Sequence, residues 1–173
     1  SSSSGNIVLK SSNAGTKGVS GSLMFKTGDS TSGASGMISL SSGSATGGIG
    51  GDIILSVGSN NVGNGGNILM NAGVTDALTG GMVSIKSGGS SATSSGSVVI
   101  SSANSGNNGV SGILKFSSGT ASNGASGAVY LQSGHATGGS SGKIEISVGS
   151  GTSGGDVIVT AGSGKIDTGG AIR

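Results

Sequence analysis

A glycine that is followed by alternating large apolar residues recurs about every 15 residues along this chain. We call each of these an anchor glycine. The anchors are Gly5, Gly21, Gly36, Gly51, Gly66, Gly81, Gly96, Gly112, Gly127, Gly142, Gly155 and Gly170. The intervals between them are 16, 15, 15, 15, 15, 15, 16, 15, 15, 13 and 15 residues, a regularity that random low-complexity sequence does not keep. A fixed period indicates a stacked repeat, because a unit this short cannot bury an apolar face alone.

The second and fourth residues after an anchor are apolar in every complete unit. Positions two apart lie on the same face of a strand, so both side chains point the same way. We predict that they form a core ladder, in which equivalent residues of successive units stack on one another. The predicted core ladder comprises Ile7, Leu9, Leu23, Phe25, Ile38, Leu40, Ile53, Leu55, Ile68, Met70, Val83, Ile85, Val98, Ile100, Leu114, Phe116, Val129, Leu131, Ile144, Ile146, Val157 and Val159.

Each apolar cluster is followed by a small residue at the sixth position and usually by Gly at the seventh, as at Gly43, Gly58 and Gly73. Gly at that point predicts a turn with positive φ. The eight or nine residues that remain are mostly Ser, Ala, Thr, Asn and Gly. We expect them to return the chain to the start of the next strand, forming a thin second wall.

These features predict an all-β fold, a single-stranded parallel β-solenoid with about 15 residues per coil and about 11–12 coils. Adjacent coils would pair about 4.8 Å apart. A longer repeat of 91 residues, or six units, relates the sequence at 45–48 to that at 136–139. We therefore expect one continuous solenoid over 1–173, with super-repeat 1 at 5–95 and an incomplete super-repeat 2 at 96–173, as part of a longer array.

Two other folds were weighed against the solenoid. With 40 Gly in 173 residues the composition is also typical of a flexible linker, but 32% of the residues are hydrophobic and cluster regularly. A loose β-sandwich would need hairpin turns and strands of alternating direction, whereas all units read the same way. The chain opens with Ser rather than Met, which we take to indicate a processed or excised segment.

The third residue of each strand is expected to point outward, and it is often apolar. Exposed apolar stripes usually mark interaction surfaces, although scattered surface apolar residues are the simpler interpretation. We predict self-association of the chain into a homo-oligomer or fibril through this face. The predicted self-association face comprises Val8, Met24, Ile54, Leu69, Val99, Tyr130 and Ile158.

Several kinds of chemistry are not supported by the sequence. Net charge is +2 without a basic run, so we expect no nucleic-acid partner, and apolar runs of about four residues are far short of a membrane span. There is no Cys, and the single His135 has no carboxylate near it. The carboxylates are scattered, at Asp29, Asp52, Asp76, Glu145, Asp156 and Asp167. We expect no catalytic residue, cofactor or metal, and hence no enzyme.

Lys143 and Asp156 share a slot in consecutive units, which predicts an exposed ion pair.

The segments SGMISLSSGSATGG (35–48) and SGAVYLQSGHATGG (126–139) resemble the long Gly/Ser-rich β-strand repeats of surface and secreted proteins of microalgae, diatoms especially, and of giant bacterial adhesins. The resemblance covers the whole chain and implies an extracellular or cell-surface location with a fibrous or adhesive role. Stacked-coil ice-binding proteins are similar in coil length, but their Thr-x-Thr ladder is missing here.

The functional expectation is a structural extracellular filament or adhesive rod that self-associates through the outward apolar face, with surface glycans as a further partner. The alternative is an ice- or polysaccharide-binding β-solenoid module that uses a polar face. A viral fibre shaft is a third interpretation, which a trimeric mass would identify.

Overall fold

The computed structural model describes residues 3–164 and 168–173 of the chain. Within these ranges the backbone contains no helix and no strand. The prediction of an all-β, single-stranded parallel β-solenoid is therefore wrong for the chain as described. The backbone is coil that bends at regular intervals, and its contacts divide it into two units, Ser1–Ser84 and Ile85–Arg173.

The first unit has a tight turn at 16–17 and bends at 31–33, 46–48, 61–63 and 76–78. The segments between anchor and sixth residue, such as 51–57, contain no bend. The 15-residue period of the sequence is thus present in the backbone. Each bend falls in the polar stretch, ten to twelve residues after an anchor, and not at the seventh-position glycine.

Each polar stretch of the first unit closes on itself. A Cβ built on Gly21 would lie 3.3 Å from Ser11 Cβ, and one built on Gly81 would lie 3.2 Å from Ala72 Cβ. The Gly81 N–H also donates a hydrogen bond to the Gly73 carbonyl oxygen at 2.9 Å. The sixth residue of one repeat is therefore next to the anchor of the following repeat. We call these segments the closed loops; those of the first unit span 11–21, 27–36, 42–51, 57–66 and 72–81.

The second unit repeats this arrangement. Its bends lie at 91–93, 107–109, 122–124, 137–139 and 152–153. The N–H groups of Gly96 and Gly170 donate to the carbonyl oxygens of Gly88 and Gly162 at 2.9 and 2.8 Å. The closed loops of the second unit span 87–96, 102–112, 118–127, 133–142 and 148–155, and Gly170 lies beside Ala161 in the same way.

The closed loops explain why no solenoid forms. In a solenoid each anchor lies beside the anchor of the previous repeat. Here each anchor lies beside the sixth residue of the previous repeat, as Gly81 lies beside Ala72. Six residues of extended chain span about 20 Å, so the two positions are far apart. Equivalent residues such as Ile53, Ile68 and Val83 consequently lack the full cover of a solenoid interior, and they are 54%, 48% and 56% exposed.

No side chain of the described residues is buried. Every member of the predicted core ladder is exposed, from 48% for Ile68 to 100% for Ile7. The chain exposes 17305 Å², whereas a folded monomer of this mass exposes roughly 7,400 Å². The residues that are half-buried lie mainly at the sixth position, where the loops close: Ser11, Thr27, Ala72, Ser87 and Ala161, together with Ala136 in a loop.

The expected turn glycines do not have the conformation predicted for them. Among the described residues the only glycine with positive φ is Gly63, at +82°, in the bend at 61–63. Gly43, Gly58 and Gly73 have ordinary φ, and a Cβ there would meet no atom within 4 Å. A Cβ would be crowded instead at four of the anchors, Gly21, Gly66, Gly81 and Gly155, where the nearest heavy atom would lie 3.3, 2.8, 3.1 and 3.1 Å away.

Candidate self-association surface

The apolar clusters present two faces of unequal exposure. In the cluster after Gly51, Ile53 and Leu55 are 54% and 70% exposed, and Ile54 between them is 82% exposed. In every cluster with an apolar third residue, that residue is more exposed than the second and fourth residues. The first cluster is the exception, because its second residue, Ile7, is fully exposed. We call the side that carries the second and fourth residues the even face and the side that carries the third residue the odd face.

The even face holds the predicted core ladder, and the odd face holds the predicted self-association residues. The odd face is interrupted by polar residues at the third position, namely Ser39, Ser84, Lys115 and Glu145. The even face has no such interruption, because all its second and fourth positions are large and apolar. Both faces are exposed, so both are accessible to a partner in this structure.

An open apolar cleft lies in the second unit. It is lined by Phe116, Val129, Tyr130 and Leu131 and has a volume of about 310 Å³. Phe116, Val129 and Leu131 belong to the even face, and Tyr130 belongs to the odd face. The cleft joins the apolar residues of two successive clusters, and its size suits one or two large side chains.

The backbone of the clusters is largely free of internal pairing. Four backbone N–H groups donate to backbone carbonyls between described residues, those of Gly18, Gly81, Gly96 and Gly170, and all four bonds lie in turns or closed loops. Folded proteins make about one internal hydrogen bond per residue. The clusters therefore combine exposed apolar side chains with backbone groups that no described backbone partner satisfies.

The bends within the closed loops are held by short polar side chains. Ser90 Oγ accepts hydrogen bonds from the N–H groups of Ala92 and Thr93 at 3.2 and 2.9 Å, and Ser30 Oγ accepts from Gly33 N–H at 3.0 Å. Residues at this slot, nine after the anchor, cap the bend in the way that Ser, Thr and Asn do in polar turns. Thr75 caps its bend likewise, and the Asn60 amide donates to carbonyl oxygens within its own bend.

Charged side chains are exposed and form local pairs. Lys143 bonds to Glu145, two residues away, and not to Asp156 as the shared slot predicted. Lys26 Nζ lies 3.5 Å from Asp29 Oδ2. Exposed pairs of this kind contribute little to stability.

The structure brings together no metal-binding cluster among residues 3–164 and 168–173. Three or more His, Cys, Asp or Glu side chains do not cluster anywhere in these ranges. His135 is exposed in a closed loop. Asp167, one of the scattered carboxylates, lies outside the described residues. None of the described segments forms a helix with the length and apolar character to cross a membrane.

No protein-family model matches the chain, and neither a curated protein nor a solved structure matches it. The resemblance to Gly/Ser-rich surface repeats therefore stays a prediction.

Proposed function

We propose that this chain is a structural element that associates with other copies of itself through its apolar clusters, as part of an extracellular filament or adhesive layer. The observation that carries the proposal is the exposure of every apolar cluster in the described chain. The extracellular location rests on the resemblance to Gly/Ser-rich surface repeats alone.

Surface area gives association a large driving force. The chain exposes about 10,000 Å² more than a folded monomer of its mass. A stable interface needs about 800 Å² from each partner, and each Å² of apolar surface buried contributes about 25 cal/mol. Burying even a tenth of the excess therefore supplies an interface of ordinary size.

The backbone of the clusters supports the same proposal. Short segments that are rich in Ile, Val and Leu, low in charge and free of Pro pair readily with like segments of other chains. The chain contains no Pro, and the segment from Ile53 to Leu55 carries no charge. Pairing between copies would satisfy backbone groups that the single chain leaves unpaired.

Sedimentation velocity and infrared spectroscopy over a dilution series test the proposal. We expect the chain to be monomeric and coil-like when dilute, and to gain β-structure together with mass as concentration rises. Negative-stain imaging of the concentrated sample should show filaments or regular oligomers. A chain that remains monomeric and without β-structure at every soluble concentration would refute the proposal.

Binding of ice or polysaccharide is the second candidate, and the capped loops favour it. Exposed Ser, Thr and Asn side chains recur in these loops at intervals of 15 or 30 residues, as at Ser30, Asn60, Thr75 and Ser90. Hydroxyl and amide groups at regular spacing suit hydrogen bonding to an ordered lattice. Thermal hysteresis or glycan-array binding by the dilute monomer would favour this function over self-association.

A further inference from the structure

We infer that associated copies share an interior made by their even faces, with the odd faces toward water and the chains parallel and in register. The inference rests on the proposed self-association and names the surface that it uses. The outward apolar residues suggested the odd face as the contact surface. The inference assigns the contact to the even face, on the opposite side of each cluster.

The distribution of charge decides between the two faces. Each cluster has odd positions one, three and five after its anchor and even positions two and four. Every charged residue within the clusters occupies an odd position, whereas no even position is charged. These odd-position charges are Lys10, Lys26, Asp52, Lys86, Lys115, Lys143, Glu145 and Asp156. Burial of an unpaired charge is costly, so the odd face is the side that stays in water.

Exposure within the single chain agrees with this assignment. The even-face residue Ile68 is 48% exposed, whereas the odd-face residue Leu69 beside it is 79% exposed. The even face is thus partly sheltered by its own chain, but about half of each side chain remains open. The apolar cleft at Phe116, Val129 and Leu131 lies on this side and offers a concave seat for side chains of a second copy.

The partner that binds the even face is a second copy of the chain. The anchor intervals are irregular, and a chain of the same sequence has the same irregular intervals. Two identical chains that run parallel without offset place all anchors opposite one another, including the 16- and 13-residue intervals. Antiparallel chains meet the intervals in reverse order, so anchors that match at one place are displaced by one to three residues elsewhere. A one-residue displacement brings an odd face opposite an even face.

Two triple variants test which face is used. The even-face variant carries Ile53→Thr, Ile68→Thr and Val83→Thr, and the matched odd-face variant carries Ile54→Thr, Leu69→Thr and Val99→Thr. Each substitution removes one large apolar side chain and leaves the anchors and loops unchanged. Because the even-face side chains lose area that would be buried, we expect association to weaken roughly tenfold per substitution. The odd-face variant should associate nearly as the unmodified chain does.

Cross-linking tests the register, and the absence of Cys makes it clean. Copies with Ser39→Cys are mixed with copies carrying Ala136→Cys, assembled, and treated with a short bis-maleimide. Parallel, in-register chains give links between like positions, 39 to 39 and 136 to 136. Antiparallel chains give 39 to 136, and that product would overturn the inferred register.

The outcomes separate this inference from the function on which it rests. If the unmodified chain does not associate, the proposed function fails and the inference fails with it. If the unmodified chain associates and the odd-face variant is the weaker of the two, self-association stands and the even-face interior is wrong. Equal loss in both variants would also refute it, because the two faces would then contribute alike.

Discussion

Replacing Gly81 with Ala should open the closed loop at 72–81. The Gly81 N–H donates to the Gly73 carbonyl oxygen at 2.9 Å, which is the hydrogen bond that closes the loop. A Cβ at position 81 would lie 3.1 Å from Gly73 N and 3.2 Å from Ala72 Cβ. Both distances are shorter than ordinary van der Waals contact, so the loop ends must move apart.

The size of the effect follows from the small net free energy of loop closure. Bringing together the ends of nine residues costs about 2 kcal/mol or more in chain entropy. One exposed hydrogen bond returns about 1 kcal/mol, and the contact between Ala72 and the anchor supplies the rest. An overlap that adds about 1 kcal/mol therefore lowers the ratio of closed to open loop about fivefold.

Amide hydrogen exchange, followed by NMR on the dilute monomer, measures the effect. We expect the closed-to-open ratio obtained from the protection at position 81 to fall about fivefold in Gly81→Ala, after correction for the intrinsic exchange rate. Gly96, whose N–H donates to Gly88 at 2.9 Å in the neighbouring loop, is the internal reference. Its protection should not change.

The matched control is Gly73→Ala in the same loop. A Cβ at 73 would meet no atom within 4 Å, and the φ of Gly73 lies outside the left-handed region. Ala there restricts the open chain and should raise closure by about 0.4–1 kcal/mol. Equal loss of protection in the two variants, or a larger loss in Gly73→Ala, would refute the packing argument.

Three further predictions concern the bends and the exposed charges. Ser90→Ala removes the acceptor for Ala92 and Thr93 N–H, which should destabilise the bend at 91–93 by about 0.5–1.5 kcal/mol, whereas Ala45→Ser should add a cap to the bend at 46–48. Amide temperature coefficients measure both, and no change in either variant would contradict the capping role. Gly63→Ala should cost about 1–2 kcal/mol because φ is +82°, whereas Gly65→Ala, with open space around it, should cost little. NMR chemical shifts at 61–64 should change in the first variant only. Lys143→Gln removes the exposed pair with Glu145 and should alter the association midpoint by less than about 1 kcal/mol, so a change beyond tenfold would count against the odd face lying in water.

Part of the architecture could be predicted from the sequence because it depends on local chemistry. The period of the anchors reappears as the period of the bends, since Gly, Ser and Asn turn the chain within each polar stretch. Alternation of side chains within a cluster also reappears, as the exposures of Ile53, Ile54 and Leu55 show. The turn position was predicted wrongly, because the bend follows the capping slot at Ser30 or Ser90 and not the seventh-position glycine.

The odd face as the self-association surface stays a prediction, since both faces are exposed in the structure. Exposed apolar residues such as Ile54 and Leu69 drew attention to the odd face, because the even face was assigned to an interior. The signal that points to the even face was already present in the positions of the charges, among them Lys86, Lys115 and Glu145. Its meaning depends on knowing that about half of each even-face side chain is left open by its own chain.

By itself the sequence determined a repeat of apolar clusters and polar turns and a strict separation of charged and uncharged faces. Only the tertiary structure decided where each loop returns. The loop at 72–81 brings Gly81 beside Ala72 and not beside Gly66, and that placement leaves Ile68 and Val83 uncovered. The sequence pattern specifies which apolar side chains gain from burial. It does not specify whether the next repeat or another copy of the chain would bury them. Whether the next repeat covers these side chains is set by loop closure. Closure depends on contacts such as the one between Ala72 and Gly81, which the 15-residue period by itself does not predict.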